Sequence, residues 1–216
     1  MKATTALVIV AMLLSVAVAC GDSGASSSPT HRADDAADLD PNLLTAVALR
    51  GEDLPAGYAT DLSFSPPGQS ATGYNAAFRT RDVSISSNVV RYVDTASLTK
   101  ELPHLRNGFV KFIGPESAYR IGGSDAAFLY SGGTFPAQAT IMVKGRYMVS
   151  VAFQAQAQSA AAAVTDRAEL DRLSALVFDR LEKLLADPSS ATAVVGAPTF
   201  ETQQGGGAPA VVTATP

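Results

Sequence analysis

Ser97-Leu98-Thr99-Lys100 sets a serine hydroxyl and a lysine amine three residues apart, a spacing that brings two side chains together on a helix. A lysine amine that has lost its proton could take the serine's and create an acyl-transfer nucleophile. His104 is the histidine available for a Ser-His-Asp arrangement, and no G-x-S-x-G elbow accompanies it. Beside Pro103, between Leu102 and Leu105, it reads as helix surface. His31 lies in a Ser- and Gly-rich stretch, and Cys20 is the only cysteine. Two separated histidines and one distant thiol do not make a zinc set, and no Gly-rich phosphate loop precedes a helix. Asp38-x-Asp40-x-Asn42 begins like a calcium loop, but Leu43 stands where the glycine is needed and Leu49 where the closing glutamate belongs. Asp40-Pro41 reads instead as an N-cap with proline at the first helical position. The expectation is a chain with no catalytic group, no metal site and no cofactor.

S-x-x-K is the nucleophile motif of the penicillin-binding proteins and β-lactamases, and Ser97 to Lys100 resembles it in those four positions alone. The companion motifs diverge. Lys144 is followed by Gly145 and Arg146 instead of Thr-Gly, and Ser86-Ser87-Asn88 lies before the serine. The surface of an amphipathic helix accounts for Ser97 and Lys100 equally well, and a Ser-Lys hydrolase stands as the third reading of the chain.

Cys20 suggests other chemistry. Met1 and Lys2 open the chain, Thr4 to Ala19 carries no charge, and Ala17-Val18-Ala19 leads into the cysteine. An apolar run that short reads as a secretory signal peptide, because spanning the hydrocarbon takes ~20 residues. Its end resembles the lipobox of bacterial lipoproteins, with Ala17 standing where that family usually has Leu or Val. The resemblance implies cleavage before Cys20, lipidation at that residue with acyl chains such as palmitate, and anchoring to the cell membrane on its extracytoplasmic side. Ordinary secretion at the A-x-A site and an uncut membrane anchor are the alternatives.

Cutting after residue 19 leaves roughly 197 of 216 residues, enough for one domain with its own core. The composition is globular, at 47% hydrophobic and 17% charged. The formal charge is −4, or −5 once Lys2 is lost with the leader, and the −5 is spread as −6 over 20–62 (2 basic, 8 acidic), +4 over 79–146 (9 and 5) and −3 over 147–216 (4 and 7). An acidic whole argues against nucleic acid as a partner. The basic middle is the one hint of a charged partner.

Between a Ser/Gly/Asp-rich tether (20–40) and a Gly/Pro/Thr-rich disordered tail (188–216), residues 41–187 read as a single α+β domain. A short helix runs from Pro41 to about Arg50, with Leu43, Leu44 and Val47 inward, and a strand covers Thr60 to Phe64. Tyr74, Ala76 and Phe78 alternate with Asn75, Ala77 and Arg79, and Val83 to Val93 is rich in β-branched residues, so the two pair across Thr80–Asp82. Asp94 caps a helix with the stripe Leu98, Leu102, Leu105, Phe109 and Phe112, which kinks or restarts at Pro103. Ala126 to Tyr130 is a strand, and Ile141–Val143 and Tyr147–Phe153 flank Lys144-Gly145-Arg146 as a hairpin. Asp166 and Glu169 open the last helix, whose stripe is Leu170, Leu173, Val177, Leu181 and Leu184. The expected fold is an antiparallel sheet with both long helices on one face, in a hairpin–helix pseudo-repeat.

These features point to a lipid-anchored, non-enzymatic envelope protein whose domain binds a ligand or a protein partner, or to a structural accessory protein using an exposed sheet face. If the strands from 125 to 153 form a meander, Tyr119, Arg120, Lys144 and Arg146 share one rim suited to an anionic partner. Ordinary solvated turn charges are the competing reading of those four residues.

Overall fold

In a computed structural model residues 38–61, 71–134, 136–156 and 166–191 are described. The expected signal peptide, Cys20, most of the expected tether and the expected tail beyond Ala191 lie outside those residues, as do the last three positions of the strand expected at Thr60–Phe64.

Seven antiparallel strands form one sheet: β1 (Ala59–Asp61), β2 (Ala71–Arg79), β3 (Val83–Tyr92), β4 (Glu116–Ala118), β5 (Ala126–Ser131), β6 (Ala137–Lys144) and β7 (Tyr147–Ala155). Their spatial order is β1-β2-β3-β7-β6-β5-β4. Two meanders, each of strands adjacent in the chain, thus meet where β3 pairs with β7, and the short β1 and β4 form the edges. Both expected hairpins are present, with Arg79 opposite Ser84 and Lys144 opposite Tyr147.

The helices are α1 (Leu44–Val47), entered through a 3₁₀ turn at Pro41–Leu43, then α2 (Thr95–Phe112) and α3 (Arg167–Ala186). Each long helix starts where a side-chain oxygen satisfies a free amide. Asp94 accepts from the Ser97 amide at 2.6 Å, and Asp166 from the Glu169 amide at 3.1 Å. α2 continues through Pro103, which sits on its exposed side. The first helix is shorter than expected because the backbone turns extended at Ala48.

The two long helices do not share a face. Along β7, Tyr147, Val149, Val151 and Phe153 pack in one buried cluster with Leu170, Leu173, Val177, Leu181 and Leu184 of α3. Met148 and Ala152 pack in the other, with Leu98, Leu105 and Phe109 of α2. Residues one apart on a strand point to opposite sides, so α3 and α1 cover one face, called A, and α2 covers the opposite face, B. The two hairpins repeat in register, but the helices that follow them do not. Antiparallel β3 and β7 are related by a two-fold axis normal to the sheet, which would carry both helices to one side.

Face A is densely filled. Each of the five stripe residues of α3 is buried, and Thr140 meets Ser174 across it at 2.7 Å. Arg180 holds both Asp53 oxygens at 2.7 Å and the Ala48 carbonyl at 3.0 Å, tying the turns after α1 to α3. The end of the expected tether also belongs to the body. Leu39 is 1% exposed, its amide donates to the Tyr147 hydroxyl at 3.0 Å, and Asp38 pairs with Arg91 and Arg146. No helix among the described residues is long and apolar enough to cross a membrane.

Candidate functional site

Side-chain size changes along face B. Near the β6–β7 turn it presents Val90, Tyr92, Ile141, Val143 and Met148, on which the first part of α2 packs. Further from that turn the same strands offer Ser86 and Asn88 on β3, Ser150 and Ala152 on β7, and Ala137 and Ala139 on β6. A helix resting on large residues at one end stands clear of small ones at the other. Beneath the C-terminal part of α2 this leaves a pocket of about 470 Å³, within the ~300–1,000 Å³ usual for small-molecule sites.

Its floor is Asn88, Ala137, Ala152 and Gln154, and its roof is Phe109, Phe112 and Ile113. Phe112, expected to face inward, is instead 40% exposed, and Val110 is 43% exposed; both line the pocket. The polar groups are few. Asn88 Nδ2 donates to Ser150 Oγ at 3.4 Å, and Thr134, Gln154 and Lys111 complete the set. Lys111 Nζ lies 5.5 Å from the centre of the Phe112 ring.

The end wall is a latch between backbones. The Gly133 amide donates to the Ile113 carbonyl at 3.0 Å, joining the β5–β6 connection to the end of α2. A Cβ at Gly133 would overlap that carbonyl, and one at Gly114, whose φ is +137°, would overlap the Gly133 amide. Only glycine permits both the approach and the angle.

Behind the roof, Phe109 stacks tilted on Tyr130 at 5.2 Å, and the Tyr130 hydroxyl donates to Glu116 at 2.9 Å. Arg106 grips the same carboxylate through Nε at 2.8 Å and Nη2 at 2.5 Å, with its guanidinium 4.1 Å above the Phe128 ring. Hydrogen bonds from Arg106 hold the Glu116 pKa below the usual carboxylate range, and burial pushes the Tyr130 hydroxyl up. This cluster fixes α2 to the edge strand and thereby the height of the roof.

The four residues expected on one rim are placed differently. Tyr119 is half-buried against the first half of α3, with the Arg167 guanidinium 5.3 Å from its ring; burial, then the nearby Asp171 carboxylate, raises its pKa. Lys144 donates to the Gly123 carbonyl at 2.5 Å and lies 4.0 Å from both Asp125 and Glu182. Arg146 donates to the Val93 carbonyl at 3.0 Å and pairs with Asp38 at 2.6 Å. Arg120 is exposed. Lys144 and Arg146 do share the hairpin end with Gly123, as expected. Their charge, however, faces carboxylates of this chain.

Ser97 lies in the first turn of α2, with its amide and hydroxyl engaged by the Asp94 carboxylate, and Lys100 is exposed. His104 is exposed on the same helix. Among the described residues no group of three or more His, Cys, Asp or Glu side chains is placed to hold a metal.

The sequence reading missed the pocket, whose signal was the row of small residues at alternate positions: Ser84, Ser86 and Asn88 on one strand, Ser150 and Ala152 on the other. No protein-family model and no curated protein matches this chain.

Proposed function

We propose that this chain is an envelope lipoprotein, anchored on the extracytoplasmic side of the cell membrane through Cys20, whose body is a non-enzymatic domain binding a small, largely apolar ligand. One observation carries the binding half: the pocket under α2, mostly apolar, with a handful of polar groups at its ends. Sites of that make-up bind by burying apolar surface and use the polar groups to orient the ligand. The anchoring half is supported by the small-residue run ending at Cys20 and by the need for stable attachment through more than one acyl chain.

An accessory protein working through a bare sheet face has less support, since both faces carry a helix and the sheet residues beneath them are buried. A Ser-Lys hydrolase has less still, because Ser97 serves the helix cap.

The test uses the neutral aromatic probe N-phenyl-1-naphthylamine with the full chain in detergent held below its micellar concentration, alongside Phe112→Asp. Saturable fluorescence at one probe per chain, lost in the variant, supports the reading. Unsaturable fluorescence, or fluorescence that the variant leaves unchanged, overturns it. Mass spectrometry of the mature N-terminus tests the anchor separately; an unmodified Cys20 overturns that half.

A further inference from the structure

The pocket is elongated. Asn88 pairs across the sheet with Ser150, and Gln154 lies four residues further along β7, about 13 Å at the rise of a strand. Between those two polar floor residues lies Ala152, with Ala137 beside Gln154 on β6. Alanines set a long, shallow floor under the roof of Phe109, Phe112 and Ile113. A slot of this form is long enough to take one straight aliphatic chain along its floor, and apolar enough to take an aromatic probe.

The lining also fixes the sign of the head. Among the described residues lining the pocket, Lys111 is the one with an ionisable side chain. It stands in the last turn of α2, where the helix end contributes roughly half a negative charge. The full positive charge of the lysine outweighs that, and the carbonyls nearest the slot are already engaged: Phe109 by the Ile113 and Gly114 amides, Ile113 by Gly133. Among the described residues no carboxylate lines the pocket to oppose an anion. The exposed surfaces of Val110 and Phe112 beside Lys111 would be covered by the first carbons of a chain whose head reaches the amine.

We infer that the pocket under α2 binds a single straight acyl chain ending in an anionic head, with the chain along Ala152 and the head on Lys111. This rests on the binding reading above and names its ligand class. Such a molecule could be a free fatty acid or a lysophospholipid, which share this chemistry.

The experiment displaces bound N-phenyl-1-naphthylamine from the full chain with n-alkanoates of increasing length, n-alkanols of equal length and lysophosphatidylglycerols, each below its micellar concentration. Affinity should rise about fourfold per methylene, the equivalent of ~0.8 kcal/mol, and level off once the chain outgrows the slot. Lys111→Gln, a surface change, should weaken alkanoates several-fold and leave alkanols unchanged. Ala152→Leu, which fills the floor of the slot, should abolish binding of the probe itself. The tighter of alkanoate and lysophosphatidylglycerol identifies the natural source of the chain.

Affinity independent of chain length would overturn the acyl assignment, and an unchanged alkanoate-to-alkanol ratio in Lys111→Gln would overturn the anionic head. If the probe binds one per chain while no amphiphile displaces it, the ligand class is wrong and the pocket stands. If the probe itself fails to bind, the binding reading falls first.

Discussion

One sheet carries two faces with opposite habits. Face A takes Tyr147, Val149, Val151 and Phe153 from β7 and seals them under α3 with five buried aliphatic side chains. Face B takes Met148, Ser150, Ala152 and Gln154 from the same strand and leaves a space of about 470 Å³ under α2. The two sets alternate residue by residue, so nothing in the backbone distinguishes them. Side-chain volume alone does. A sheet covered on both sides can therefore divide its labour, with one face supplying stability and the other forgoing some of it to keep a site open.

The largest effect should come from face A. Leu181→Ala removes a side chain with no exposed surface and should cost roughly 2–5 kcal/mol. Leu102→Ala on α2, where the side chain is only partly buried, should cost less than half as much. Urea denaturation of the two variants reads the difference. Equal losses would mean that face B is packed as tightly as face A.

Next comes the latch. Gly133→Ala places a methyl on the Ile113 carbonyl, so the β5–β6 connection must part from α2, at a cost of about 1–3 kcal/mol. Probe binding should weaken in parallel, because the end wall moves with the latch. Lost stability with unchanged binding would separate the wall from the site.

The smallest effect is electrostatic and depends on pH. Glu116 has its pKa lowered, chiefly by hydrogen bonds from Arg106 against a smaller opposing push from burial. A carboxylate with a depressed folded-state pKa contributes stability that is complete above its unfolded value, near 4.5, and is lost as pH falls through the folded value. Glu116→Gln should therefore lower stability at neutral pH by about 1 kcal/mol, both partners being partly exposed. It should also flatten the acid limb of a melting temperature series below pH 4.5. An acid limb identical to that of the unchanged protein would show that Glu116 does not hold α2.

Much of this was legible from residue order. The alternation in β2 and β7, the turn at Lys144-Gly145-Arg146, the caps at Asp94 and Asp166 and the α3 stripe all follow from local periodicity and local hydrogen bonds. The side of the sheet that each helix takes did not follow, because alternation along a strand gives two sets of residues but not which set meets which helix stripe. One sign was present. In β6, Gln138 to Val143 is buried at every position, and β7 is buried at all but Gln154. Continuous burial marks a strand covered on both faces, and the apolar run Ile141-Met142-Val143 together with Met148 beside Tyr147 and Val149 hinted at it. Candidate site residues were harder to find, since charges draw the eye while a pocket is made by what is small. Arg146 looked available for a partner and in fact holds Asp38, a pairing 108 residues apart that no spacing rule reveals.

The difference between the faces is tested most directly by adding the same side chain to each, three residues apart on β7. Ala152→Leu projects into the pocket and Ala155→Leu into the sealed core of face A. Unfolding free energies should show Ala152→Leu within about 0.5 kcal/mol of the unchanged protein and Ala155→Leu lower by about 1–3 kcal/mol, the usual cost of overpacking. Equal destabilisation by both would mean that face B holds no open space and that the site described under α2 does not exist.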